Sequence, residues 1–158
     1  MLEGQKEEAF MREAIAEAQS VDERCVYPNP RVGAVIVEKG AIVARGRFER
    51  DGGLLAERRA LNALGRSPAP EAVIYVTLEP YSTRGRTGAC AEVIMASDLG
   101  KVVVGALDPT SGHQWRGPRI MIEAGIEVVS ELLLEECSVL NLGYSGRETS
   151  RLEDQINR

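Results

Sequence analysis

The side chains able to do chemistry collect in four short stretches: Tyr27-Pro28-Asn29-Pro30, Leu54-Leu55-Ala56-Glu57, the run EPYSTRGRTGAC from Glu79 to Cys90, and DPTSGHQWRG from Asp108 to Gly117. The third is the densest. Arg84, Arg86 and Thr87 stand around Gly85 just ahead of an expected helix, offering guanidinium forks, a hydroxyl and free backbone amides. A phosphate is held by that combination, through charge-assisted bidentate hydrogen bonds and the amides of the helix entrance. A solvated loop would carry the same residues; two arginines, a glycine and a hydroxyl together favour the anion. Cys90 sits where the helix starts, a position that lowers a thiol pKa, although a small buried side chain is the preferred assignment. Asn29 between two prolines suits a turn, and Glu57 suits a first helical turn, where the dipole stabilises a carboxylate. Asp108 caps a strand end and can orient the loop. Trp115, beside His113, fits a base-stacking aromatic or a rim residue covering the core equally well.

These stretches need elements to position them. In KEEAFMREAIAEAQ, Phe10, Met11, Ala14, Ile15 and Ala18 recur at helical spacing and predict an amphipathic helix ending by Ser20. VYPNP forbids helix, because each proline drives the residue before it to extended geometry. RVGAVIVE and AIVARGRF, joined by a turn at Glu38, Lys39 and Gly40, predict an antiparallel hairpin. LLAERRALNALG predicts a helix stopped by Gly65. AVIYVTLE, Cys90 to Leu99, KVVVGALD, PRIMIEAG and IEVVSE then alternate strand, helix, strand, helix, strand, the spacing of crossovers between parallel strands. The expected architecture is α/β, a central five-stranded mixed sheet with helices on both faces, closed by a helix in LLLEECSVLNLGY. Residues 1–144 are expected to form the domain and 145–158 a polar tail. Ligands of such sheets bind beyond the carboxyl ends of the strands, where the four stretches converge.

Composition narrows the partners. A chain of 158 residues, 44% apolar and 27% charged, suits one globular domain. No stretch approaches the roughly 20 apolar residues of a membrane span, and MLEGQKEE lacks the basic and apolar regions of a signal peptide, so the cytoplasm is expected and no membrane partner. A net charge of −5 argues against broad adhesion to nucleic acid and leaves small molecules as partners. Cys25, Cys90 and Cys137 are odd in number and far apart, which predicts reduced thiols rather than a disulfide framework.

The motifs PNPRVGAVIV, AE, YVTLEP, GRT, VVVGALDP and AGIEV, spread from about Phe10 to Gly143, resemble the deaminase domain of bifunctional riboflavin-biosynthesis proteins, within the cytidine-deaminase-like superfamily. The resemblance implies a three-layer sandwich. It also implies hydrolysis of an amino group from a ribosylated pyrimidine phosphate, at a zinc held by three side chains with a Glu shuttling protons. No counterpart of the reductase domain is expected. The family's His-Ala-Glu is Leu55-Ala56-Glu57 here, so the proton shuttle Glu57 stands and the metal ligand does not. The family's P-C-S-H and G-R-T-P-P-C read Pro80-Tyr81-Ser82-Thr83 and Gly85-Arg86-Thr87-Gly88-Ala89-Cys90, leaving Cys90 as the one ligand of three. Two further family His positions are Phe48 and Thr83. The position of Asn29 contacts the substrate's ribose region in the family, and Thr83, Arg84, Arg86, Thr87 and Asp108 complete the implied ligand set.

A full set of ligands in a structural zinc site is worth on the order of 10 kcal/mol, most of which one thiolate cannot supply. The expectation is therefore a metal-free site, with no zinc cofactor. The first of three readings leads, and the other two are alternatives to it. One is a catalytically silent module that holds a ribosylaminopyrimidine phosphate or related nucleotide. Another is a deaminase with an unorthodox metal set, drawing Cys25, Cys137 or His113 to Cys90. The last is a metal-free enzyme using Glu57 on a related riboflavin-branch substrate. The apolar stripes of the first and last helices predict a homodimer at least, or pairing with an active homologue.

Overall fold

The structure is a computed structural model that describes residues 2–79, 90–107 and 116–142. Helix α1 (Glu3–Gln19) buries Met11, Ala14, Ile15 and Ala18 as the spacing predicted, and the half-buried Phe10 ring meets Tyr75 with centroids 5.5 Å apart. That stripe is consumed inside the chain, so α1 holds no surplus apolar face for a partner. A short helix, α2 (Glu23–Val26), has no counterpart in the expectations. Four residues carry no periodicity; the helix exists because Asp22 accepts a bond from the Arg24 amide at 2.8 Å and Val26 is buried.

Strands β1 (Gly33–Glu38) and β2 (Ala41–Arg47) form the predicted hairpin. Its turn is Lys39-Gly40, with φ of 51° and 76°, the two-residue geometry whose twist matches the strands. Glu38 belongs to the strand rather than the turn. Its carboxylate accepts from both terminal nitrogens of Arg66, at 3.1 and 2.6 Å, and from the Ala69 amide at 2.7 Å.

Helix α3 (Ala56–Leu64) stops at Gly65, whose φ is 71°. Then β3 (Val73–Leu78), α4 (Cys90–Met95), β4 (Lys101–Ala106), α5 (Arg116–Glu123) and β5 (Glu127–Val129) alternate as predicted, and α6 (Leu134–Val139) follows. Helix α4 ends before the expected Leu99 because Ser97 Oγ donates to the Ile94 carbonyl (2.6 Å) and accepts from the Leu99 amide (3.3 Å), turning the chain.

The five strands lie in the order β2-β1-β3-β4-β5, antiparallel across β1 and parallel from β3 to β5. Strand alternation splits the core. Ala34, Ile36, Ile74, Val76, Val102 and Val104 face α3, α4 and α5, while Val35, Val37, Tyr75 and Val103 face α1 and α6. Each fully buried Val or Ile among them contributes about 1.5 to 3 kcal/mol. On the second face β4 comes so close to α6 that a Cβ on Gly105 would collide with Cys137 Sγ. Among the described residues no helix is long and apolar enough to cross a membrane.

Candidate ligand-binding site

Several chain segments meet at one end of the sheet. Strands β3 and β4 run parallel, and just past them the Glu79 amide donates to the Ala106 carbonyl at 2.8 Å. Strand β1 runs the other way, so its first residue lies at the same end, where the Gly33 amide donates to the buried Thr77 Oγ1 at 3.1 Å. Arg47, the last residue of β2, pairs with Gly33, and residues 48–55 lead from there into α3. The Pro28-Asn29-Pro30 segment, the entrance of α3 and the carboxyl ends of β3 and β4 thus share the end where ligands of open sheets bind.

Asn29 is half-buried and tied on two sides. Its backbone amide donates to the Val26 carbonyl at 2.8 Å, and its side-chain Nδ2 donates to Asp51 Oδ1 at 2.7 Å. The next residue but one is anchored to the end of α6. The Arg31 amide donates to Asn141 Oδ1 (2.7 Å), Asn141 Nδ2 donates to the Arg31 carbonyl (3.0 Å), and the Arg31 guanidinium donates to the Leu140 carbonyl (2.8 Å from Nη2).

Glu57 is the second residue of α3 and only 1% exposed. It is buried because α3 lies directly on β2: a Cβ on Gly46 would collide with the Ala56 carbonyl and the Ala60 backbone. Leu55 is the N-cap, with φ −67° and ψ 153°, and makes no side-chain cap bond, while its carbonyl accepts from the Arg59 amide at 2.9 Å. Its side chain is a half-buried hydrocarbon with no lone pair to give a metal. Phe48 is 8% exposed and packs with Val21 and Val26 as a core side chain.

Cys90 begins α4, but its side chain, together with Tyr81, Thr83, Arg84, Arg86, Thr87, Asp108, His113, Trp115 and the 145–158 tail, lies outside the described residues. Two thiols weighed as replacement ligands are placed. Cys25 is exposed on α2. Cys137 lies on the face of the sheet opposite α3 and α4, and burial pushes its thiol up to about 12. The sheet stands between Cys137 and the helix that Cys90 begins. Among the described residues no group of three His, Cys, Asp or Glu is placed to hold a metal.

Four polar residues of this end carry no role in the sequence reading: Asp51, Thr77, Glu79 and Asn141. Thr77 and Glu79 are 1% and 3% exposed. Their signal was polarity at the close of an otherwise apolar strand. Asp51 and Asn141 gave none, since their bonds cross 22 and 110 residues of chain.

The model of the cytidine and deoxycytidylate deaminase zinc-binding region matches residues 4–106. The chain belongs to the cytidine and deoxycytidylate deaminase family. Among deaminase relatives, the riboflavin biosynthesis protein RibD of Actinobacillus pleuropneumoniae is 42% identical over 132 residues, 84% of this chain and 35% of that protein. The diaminohydroxyphosphoribosylamino-pyrimidine deaminase of Buchnera aphidicola is 33% identical over 142 residues, 90% of this chain and 95% of that protein. A solved structure from Thermotoga maritima, a diaminohydroxyphosphoribosylaminopyrimidine deaminase/5-amino-6-(5-phosphoribosylamino)uracil reductase, superposes with a TM-score of 0.85. Its identity to this chain is 35%, over 95% of this chain and 43% of that one. The chain thus spans little more than a third of the RibD proteins it matches, and the matched part is their deaminase domain.

Proposed function

We propose that this deaminase-family chain binds a ribosylaminopyrimidine phosphate or a related nucleotide without zinc-dependent hydrolytic deamination. The observation that carries this is Leu55 at the N-cap of α3, a hydrocarbon two residues ahead of the buried Glu57. Of the three positions that the family resemblance assigns to zinc, Leu55 has no donor atom, Tyr81 is a phenol and only Cys90 is a thiol. That donor set does not fit zinc. The framework for sugar and phosphate, by contrast, stands intact as PNP, GRT and DP. In this account Arg86 and Thr87, with Thr83 and Arg84 beside them, take the phosphate, and Asn29 and Asp108 take the sugar. Exposed Leu134, Val139 and Leu142 on and after α6 support a homodimer or pairing with an active homologue.

Thermal denaturation tests the binding function. A ribosylaminopyrimidine phosphate or a nucleoside monophosphate is expected to raise Tm by mass action. Arg86→Ala is expected to remove much of that rise, since a charge-assisted bond to phosphate contributes about 1.5 to 3 kcal/mol. Glu57→Gln is expected to matter less, because a proton shuttle acts on reaction more than on ground-state binding. Should no phosphorylated ribosyl compound stabilise the protein, a scaffolding role replaces this one.

The burial of Glu57 favours one second possibility, a metal-free enzyme that uses its carboxylate on a related riboflavin-branch substrate. Turnover of a candidate substrate by wild type and its loss in Glu57→Gln would establish it over silent binding.

A further inference from the structure

The geometry points to Asp51 as a positioning residue for the sugar end of the ligand: it locks the Asn29 carboxamide so that its oxygen is turned toward a hydroxyl or N–H donor. This rests on the binding function proposed above. The lock follows from the chemistry of the pair. A carboxylate only accepts hydrogen bonds, whereas a carboxamide donates at one end and accepts at the other. The 2.7 Å contact between Asn29 Nδ2 and Asp51 Oδ1 therefore allows one orientation of the amide; the flipped form would set two acceptors against each other.

The backbone around Asn29 is already held. Pro28 and Pro30 fix φ on both sides, the Asn29 amide is bonded to Val26, and Arg31 is clasped by Asn141 through its own amide and carbonyl. Rotation of the side chain is the freedom left, and the bond to Asp51 restrains it, flip included. Asp51 is itself held on a tight turn, in which the Gly53 amide donates to the Arg50 carbonyl at 2.9 Å and Gly52 has a φ of 80°.

Two consequences follow for recognition. The Asn29 oxygen, turned away from Asp51, is an acceptor, so it selects a donor such as a sugar hydroxyl and rejects a bare phosphate oxygen. The negative charge of Asp51 repels an anion from the same spot. Together they orient the ligand, with hydroxyls toward residues 29 and 51 and the phosphate away from them.

The test compares a ribonucleoside 5′-monophosphate with its 2′-deoxy and 3′-deoxy counterparts by calorimetry on the full chain. Wild type is expected to prefer the ribonucleotide over at least one deoxy probe by about tenfold, the worth of one hydrogen bond. Asp51→Ala and Asn29→Ala are each expected to bring that ratio close to one while leaving affinity for the deoxy probe little changed. The double variant is expected to add nothing further, because Asp51 acts through Asn29. In the ligand-free protein, one of the two Asn29 side-chain amide protons is expected to be protected from exchange in wild type and Arg86→Ala, and unprotected in Asp51→Ala. A merely structural Asp51 would weaken all probes alike and preserve the ratio. That result, or an Asn29 amide indifferent to Asp51→Ala, overturns the assignment while the binding function stands. If no probe binds wild type, the binding function fails and the assignment fails with it.

Discussion

Gly46 and Ala56 meet backbone to backbone, with no room for one carbon between β2 and the first turn of α3. This contact sets the depth of Leu55 and Glu57 and joins the hairpin to the candidate site. The edge of the sheet thereby does more than complete the core, since it carries the floor on which Glu57 rests.

Gly46→Ala is accordingly expected to destabilise the protein by about 3 kcal/mol, the upper part of the range for overpacking. Its Cβ would meet rigid backbone atoms rather than a side chain able to swing away. Ligand-induced stabilisation is expected to fall as well, because α3 must lift. An unchanged midpoint in chemical denaturation would contradict this packing.

Purified protein is expected to hold far less than one zinc per chain, and chelators are expected to leave Tm unchanged. Restoring the missing donors with Leu55→His and Tyr81→Cys together is expected to confer near-stoichiometric zinc, since a completed set can contribute on the order of 10 kcal/mol. Elemental analysis reads both. Stoichiometric zinc in wild type that disappears with Cys90→Ala would refute the metal-free site.

Glu38 makes stability depend on acid. Its bonds from Arg66, and then from the Ala69 amide, lower its carboxyl from 4.5 to about 2. A group depressed on folding adds stability that is complete above its unfolded value and is lost as pH falls through its folded one. The Glu38 contribution is thus expected to fade between about pH 4.5 and 2. Glu38→Gln is expected to flatten that part of the stability curve and leave its shape near neutrality alone, as read by urea midpoints across pH.

The stripe of α1 is buried within the chain, so an interface must draw on other apolar surface. Val139 and Leu142 are 61% and 72% exposed. A homodimer is expected by light scattering at micromolar concentration, and Val139→Asp with Leu142→Asp is expected to yield monomers that keep the wild-type circular dichroism. A monomeric wild type would remove these residues from any self-association.

Local patterns carried most of the fold. The run Ala34 to Val37 is apolar on both faces because both faces of β1 are covered, and Gly65 and Gly125 stand at helix ends in left-handed geometry, as a glycine stop requires. The misses were short or cross-chain. Helix α2 depends on the single cap Asp22, and α4 is cut short by one serine hydroxyl. At the candidate site, the places of Asn29 and Glu57 at one end of the sheet were legible through their motifs. Asp51 was not, because Asp-Gly-Gly looks like any surface turn until the hairpin brings it to Asn29. Phe48, at one of the family's His positions, turns its side chain into the small cluster with Val21 and Val26.

The close seat of Cys137 on Gly105 has a further result, for the chain's covalent reactivity. With its thiol pushed up to about 12, Cys137 holds almost no thiolate at neutral pH, and no alkylating reagent can reach a sulfur wedged where even a methyl group on the strand would not fit. Cys25, by contrast, is open to reagent on α2. Among the described residues the folded chain therefore carries one thiol open to labelling and another that labels only when α6 leaves β4. The second modification is a clock wound by the opening of that face of the sheet.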